Sequence, residues 1–190
     1  LPYRELLSGD APYKPLMSKK GSRGGRNNFG RITTRHQGGG HKKNIRDIDF
    51  SYNKKDIPAK IETVEYDPFR SAFIGLALYR DGERRYVILP KEVKVGSSFI
   101  VSENAPLIAG NRLPIGKIPV GTFIYNIELS PGAGAILVRS AGNTAEVVAH
   151  DAGYAQVKLP STEIRRVSDL CWANVGTVGN EESNLVVIGK

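Results

Sequence analysis

Between Asp10 and Asp47 the chain has no acidic residue, yet it carries ten basic ones: Lys14, Lys19, Lys20, Arg23, Arg26, Arg31, Arg35, Lys42, Lys43 and Arg46. The stretch is rich in glycine and almost without apolar periodicity, so it has no face to bury in a core of its own. A block of like charge repels itself in isolation and is stabilised by a polyanion. Residues 11–44 therefore read as an extended arm that orders on a partner. A solvated tail is the plainer alternative, but tails rarely carry the Asn, Thr and His residues found here. Whatever core the chain possesses must come from the remainder.

Charge divides the chain in the same place. Residues 1–60 hold 14 Lys/Arg against 5 Asp/Glu, a balance of +9, and residues 61–190 hold 13 against 14, a balance of −1, which together give the net +8. A chain of 190 residues suits one or two compact domains, burying roughly 70% of the unfolded surface. Cys171 is the single cysteine. It excludes an internal disulfide framework or a four-cysteine zinc site and reads as a small buried residue. No apolar run approaches the ~18 residues of a membrane helix, and no secretory signal is visible.

From Ile45 onward the pattern is that of short strands. Residues 59–66 alternate apolar with polar in their first half, residues 73–79 form an apolar run, and Asp81-Gly82 between two apolar arms is a hairpin signal. A further strand is predicted at 98–101. Residues 105–121 carry three Pro and three Gly and read as a connection between two bodies, pinned to the surface by isolated Leu and Ile residues. Strands then resume at 122–129, 135–139, 145–149, 154–159, 163–167 and 184–188. Their spacing is the rhythm of a small antiparallel barrel. No long amphipathic helix is present. The expected fold is all-β: two small barrels behind a basic arm.

Catalysis finds little to work with. His36 and His41 lie in the glycine-rich loop with no Cys, Asp or Glu nearby to complete a metal site. His150-Asp151 is read as a turn. No nucleophile elbow, phosphate-binding loop or paired-carboxylate signature stands out, and GRNNFG lacks the spacing and setting of a dinucleotide fingerprint. The chain is not expected to be an enzyme or to hold a metal. No cofactor is expected either, and any structural Mg2+ would belong to a bound RNA.

The arm has the chemistry of an RNA ligand. The guanidinium groups of Arg23, Arg26, Arg31, Arg35 and Arg46 grip phosphates and stack on bases, and Lys42 and Lys43 add point charge. Gly38, Gly39 and Gly40 let the backbone approach phosphate oxygens. Asn27, Asn28, Thr33 and Thr34 can hydrogen-bond base edges or the 2′-hydroxyl. His36, His41 and Phe29 can stack.

The string GGRNNFGRITTRHQGGGHKK (24–43) resembles the signature arm of the large-subunit ribosomal protein two (L-two) family, in its bacterial and organellar form. EYDPFRSAFIGLALYRDGERRYVILPK (65–91) is similar to that family's oligonucleotide-binding (OB) fold. IPVGTFIYNIEL, GAGAILVRSAG and WANVGTVGN (172–180) resemble its SH3-like barrel. The resemblance runs from about Pro12 to Lys190. It implies an arm at 1–43, an OB-fold domain at 44–112 and an SH3-like domain at 113–190. It also implies that Arg70 and Arg139 bind ribosomal RNA; ordinary surface arginines are the plainer alternative. Trp172 is read as core or barrel-rim packing.

The resemblance implies a structural protein of the large ribosomal subunit. It would bind ribosomal RNA, neighbour other ribosomal proteins, and support assembly, subunit association and translation. A free RNA-binding regulator or adaptor derived from the family is the alternative. The near-neutral barrels favour a mitochondrial home over a plastid or bacterial one. Members of the family normally continue into a C-terminal extension with a histidine- and glycine-rich loop. Here that part is expected to be a separate polypeptide, lost, or outside the given chain.

Overall fold

The computed structural model describes residues 6–9, 11–19, 21, 23–38, 41–91, 93–187 and 189. The fold is all-β, with no α-helix among these residues. Twelve strands form three sheets: β1 Met17–Lys19, β2 Asn44–Arg46, β3 Ala59–Glu65, β4 Ile74–Tyr79, β5 Arg84–Ile88, β6 Ser98–Phe99, β7 Arg112–Pro114, β8 Phe123–Tyr125, β9 Ala145–Asp151, β10 Tyr154–Lys158, β11 Ile164–Ser168 and β12 Trp172–Val175. β1 and β2 make a two-stranded ribbon, the OB-fold sheet runs β5-β4-β3-β6, and the SH3-like sheet runs β11-β10-β9-β8-β12-β7.

The apolar run at 73–79 is explained by burial on both faces. Ile74 and Leu76 of β4, with Tyr86 and Ile88 of β5, enter one core. Their alternates Ala77, Tyr79, Val87 and Leu89 enter another with Ile61, Val64 and Phe99. The period-2 alternation of a strand thus feeds two cores, and neither face is left to water. Gly82 takes the predicted turn with φ +88, its N–H donating to the Tyr79 carbonyl at 2.9 Å. The second barrel closes on Ile115, Ile124, Ile127, Val147, Val157, Val167, Cys171 and Ala173. Cys171 is fully buried, as expected.

The barrels share side chains. Trp172 and Ala135 pack into the core of the first barrel, and Tyr125 and Val178 join Ile74 and Tyr86. A buried ion pair reinforces the junction. The Arg112 guanidinium is 2.8 Å from Glu128 Oε1, donates to the Asn126 carbonyl at 2.7 Å and Asn174 Oδ1 at 2.8 Å, and lies 4.6 Å from the Tyr52 ring centroid. Burial pushes the Tyr52 phenol up to about 12.

Four expectations are corrected. Of the run at 184–188, the described residues 184–187 form no strand: Glu181–Leu185 is a 3-10 helix, and residue 188 lies outside the described residues. Leu185 and Val187 are 69% and 88% exposed, so no burial stabilises a ladder there. Residues 135–139 supply only the bridge between Ile127 and Leu137, because Gly134 and Val138 both take positive φ. The connection at 105–121 contains β7, which pairs with the unpredicted β12. Leu113, Ile115 and Ile118 are buried there, whereas Leu107 and Ile108 stay exposed. His150 lies within β9 rather than in a turn, with its ring nitrogens 2.8 Å from the Ile118 carbonyl and 3.2 Å from Asp169 Oδ1.

Candidate nucleic-acid interface

The arm has more internal structure than its composition led one to expect. None of its described residues between 11 and 46 is buried, as the missing periodicity requires. It is nevertheless closed at its base. Met17, Ser18 and Lys19 pair with Arg46, Ile45 and Asn44, and the Asp47 N–H donates to the Leu16 carbonyl at 2.9 Å. The ribbon is moored to the OB-fold sheet through Tyr86 of β5, whose hydroxyl accepts from the Tyr13 N–H at 2.8 Å and donates to Glu65. The arm thus keeps its unburied character and adds a short ribbon at its base. The sequence signal missed was local pairing between short segments 25 residues apart, too brief to show a period.

Beyond the ribbon the chain forms a tight loop. The Gly25 carbonyl accepts from the Thr33 and Thr34 N–H groups at 2.9 and 3.1 Å, and Arg26 bridges Ile32. At the tip, Asn27 Oδ1 accepts from the N–H groups of Phe29 and Arg31, both at 3.0 Å. This is side-chain capping of a turn, a common use of Asn. The oxygen of Asn27 thus shapes the loop. The Thr33 hydroxyl likewise donates to the Gly25 carbonyl at 3.3 Å.

The remaining arm residues face outward. Arg23, Arg26, Asn28, Arg31, Thr34, Arg35, His36 and Gly38 are exposed, as are His41, Lys42 and Lys43. His36 takes φ +60, and His41 Nδ1 sits 3.1 Å from the Lys42 carbonyl. Arg46, at the ribbon's base, is half-buried; its Nη1 donates to the Asn44 carbonyl at 3.1 Å while its Nε is buried without a hydrogen-bond partner. Gly39 and Gly40 lie outside the described residues. Among the described residues no group of His, Cys, Asp and Glu is arranged to hold a metal ion.

Arg70 and Arg139, 69 positions apart in sequence, meet on one ring. Their guanidinium carbons lie 5.6 and 4.7 Å from the centroid of Phe50. Arg70 also pairs with the buried carboxylate of Asp67 at 3.2 Å, and its Nη1 is buried without a hydrogen-bond partner. Burial, and then the like charge of Arg139, pull its pKa below the usual guanidinium value, against Asp67. Two cations on one apolar ring, one donor still unmatched, make a place where an anion relieves repulsion and supplies a partner. The backbone helps: Val138 next to Arg139 is held at φ +56, a strained conformation for a β-branched residue. The two loops are tied across the barrels by the Ala141 N–H donating to the Ser71 hydroxyl at 3.2 Å and by Asn180 Nδ2 donating to the Ser71 carbonyl at 2.6 Å. Nothing in the sequence singles out Phe50, since an apolar residue among strands carries no sign of two distant arginines.

Arm and arginine pair are linked. Lys43, where the arm returns, stands 6.0 Å from the Phe69 ring centroid, and Phe69 precedes Arg70. Lys43 thus lies beside the segment that places Arg70, and Arg70 meets Arg139 of the second barrel on Phe50.

Two family models match this chain in succession: "Ribosomal Proteins L2, RNA binding N-terminal domain" over residues 13–102 and "Ribosomal Proteins L2, C-terminal domain" over residues 108–190. The large ribosomal subunit protein uL2 of Methylobacillus flagellatus is 54% identical over 186 residues, covering 98% of this chain and 67% of that protein. The uL2 of Chromobacterium violaceum is 56% identical over 184 residues, covering 97% and 66%. The chain thus spans about two thirds of the length of these relatives. Both are named as ribosomal proteins, not as enzymes. On two family models in order and more than half of the residues shared, the chain belongs to the uL2 family of large-subunit ribosomal proteins.

Proposed function

We propose that the chain is a structural constituent of the large ribosomal subunit that binds large-subunit ribosomal RNA, and that it supports subunit assembly, association with the small subunit and translation. The observation that carries this reading is the meeting of Arg70 and Arg139 on Phe50, with the acid-free arm returning at Lys43 beside Phe69. In this reading residues 1–43 are the arm, 44–112 the OB-fold domain and 113–190 the SH3-like domain. The binding residues are those of the arm, from Arg23 to Arg46, together with Arg70 and Arg139. The RNA partner supplies the phosphates, and neighbouring ribosomal proteins complete the surroundings. No cofactor enters the reading, and structural Mg2+ would be held by the RNA.

Sedimentation tests it. The tagged full chain is expected in the large-subunit peak of a sucrose gradient at low salt, and to leave that peak as salt rises, since counterion release weakens phosphate contacts. A protein that stays at the top of the gradient at low salt would instead be the free regulator or adaptor. The compartment is a finer matter. The near-neutral balance of residues 61–190 favours a mitochondrial ribosome, whereas both relatives described above are bacterial and favour the bacterial cytoplasm. Isolating the ribosomes of each compartment in the source organism decides between them.

A further inference from the structure

The tip of the arm holds an aromatic ring out in water. Phe29 is 81% exposed, and among the described large apolar residues Val187 alone exceeds it. The turn beneath it is built, not slack. Asn27 Oδ1 accepts from the Phe29 and Arg31 N–H groups, the Asn27 N–H donates to the Arg31 carbonyl at 2.9 Å, and the Gly30 N–H donates to the Asn27 carbonyl at 3.1 Å. Gly30, at φ +78, completes the reversal in a conformation that glycine adopts without strain. Four hydrogen bonds over five residues therefore fix the chain so that the ring stands at the apex. Arg23, Arg26, Arg31 and Arg35 are exposed in the same stretch of chain, and the nearest acids in sequence are Asp10 and Asp47.

We propose that Phe29 is a stacking wedge: its ring packs against an unpaired or opened base of the bound RNA while the flanking arginines hold phosphates on either side. The inference rests on the RNA-binding reading of the arm and adds the residue that senses base stacking rather than charge. A flat apolar face beside anionic edges is what a splayed nucleotide offers. A protein groove would have to combine apolar and strongly acidic surface to match the same tip. Stacking tolerates any base but requires one that is accessible, so the wedge favours loops and bulges over continuous duplex.

The test uses the full chain and deproteinised large-subunit ribosomal RNA of Chromobacterium violaceum, with filter binding over a range of salt. Phe29→Ala is expected to weaken binding by roughly 5- to 150-fold, the range of one lost base stack, without changing the slope against salt. Phe29→Trp is expected to keep affinity, and its new emission to be quenched by RNA beyond any change in the wild type, whose Trp172 is buried. Phe29→Leu, apolar but without a flat ring, is expected to fall with the alanine variant. Wild-type affinity in Phe29→Ala overturns the wedge, as does a shallower salt slope, which would mean that the charged loop had collapsed. Leucine equal to tryptophan overturns it in favour of plain apolar docking. Unchanged RNA affinity with loss of a protein partner moves the ring to a protein interface. Failure of the wild type itself to bind the RNA at low salt sinks the underlying reading along with the wedge, whereas binding by both wild type and Phe29→Ala sinks the wedge alone.

Discussion

Gly25 carries the arm's loop on its backbone. It sits at φ +71, and a Cβ there would stand 2.0 Å from the Thr34 carbonyl oxygen, whose backbone has no room to retreat while Thr34 donates to Gly25. Gly25→Ala is therefore expected to open the loop. Strain of about 1–3 kcal/mol would appear as an RNA Kd raised by roughly 5- to 150-fold, with the melting temperature unchanged because the loop touches none of the three cores. Filter binding and calorimetry on one preparation check both halves. Arg70→Ala and Arg139→Ala should each weaken RNA binding by about 1–3 kcal/mol. Because they share the Phe50 ring and repel one another, the double variant should lose less than the sum of the two. Strict additivity would show that they act as unrelated surface charges. At this scale the sequence was informative about type and silent about partnership. Ten cations without an acid announce a polyanion, but Asn27 turning inward to cap the loop is visible only in three dimensions.

At the scale of elements, the longer strands were legible, whereas β12, buried throughout, and the three-residue β7 were too short to be read. β3, β4, β5 and β10 were readable because alternation or a long apolar run survives in them. β8 stops at Tyr125 because Asn126 takes φ +51, and the 135–139 segment fails as a strand beside it for the same kind of reason. One of these interruptions lies against the ring that carries both arginines. The turn at Gly134 lies against Phe50: Gly134 has φ +79, a Cβ on it would be 2.7 Å from the Phe50 carbonyl oxygen, and the Ala135 N–H donates to that oxygen at 2.8 Å. Gly134→Ala is thus expected to push the second barrel's loop away from the ring that carries both arginines. A loss of about 1–3 kcal/mol, or several degrees in melting temperature at roughly 2–4 °C per kcal/mol, should come with weaker RNA binding. A variant that melts lower yet binds RNA as before would separate the turn from the platform.

Across the whole molecule two barrels are held as one support. Arg112 and Glu128 are 1% and 3% exposed, and the second oxygen of Glu128 accepts from the Gly132 and Trp172 N–H groups, each at 3.2 Å. Arg112→Ala leaves that carboxylate buried without its cation, which costs about 3–5 kcal/mol. Denaturant unfolding should show it, and Arg112→Met with Glu128→Gln should recover part of the loss. An equally unstable double variant would argue against the uncompensated charge as the cause. The arm, by contrast, is expected to add grip rather than stability. Replacing residues 20–43, which carry seven cations, with a Gly-Ser linker should leave the melting temperature in place. It should also make the slope of log K against log salt shallower by up to roughly 5–6.

By itself the sequence determined the all-β class, the place of the charge and the exposed, cationic character of the arm, because alternation, turn residues and net charge are local properties that need no partner to be read. The tertiary structure alone decided that the arm is a closed ribbon with a built tip and that β7 and β12 complete the second sheet. It also decided that Arg70 and Arg139 share Phe50. Each of these depends on residues far apart in sequence coming into contact, and the gain that stabilises such a contact exists only once the chain has folded around it.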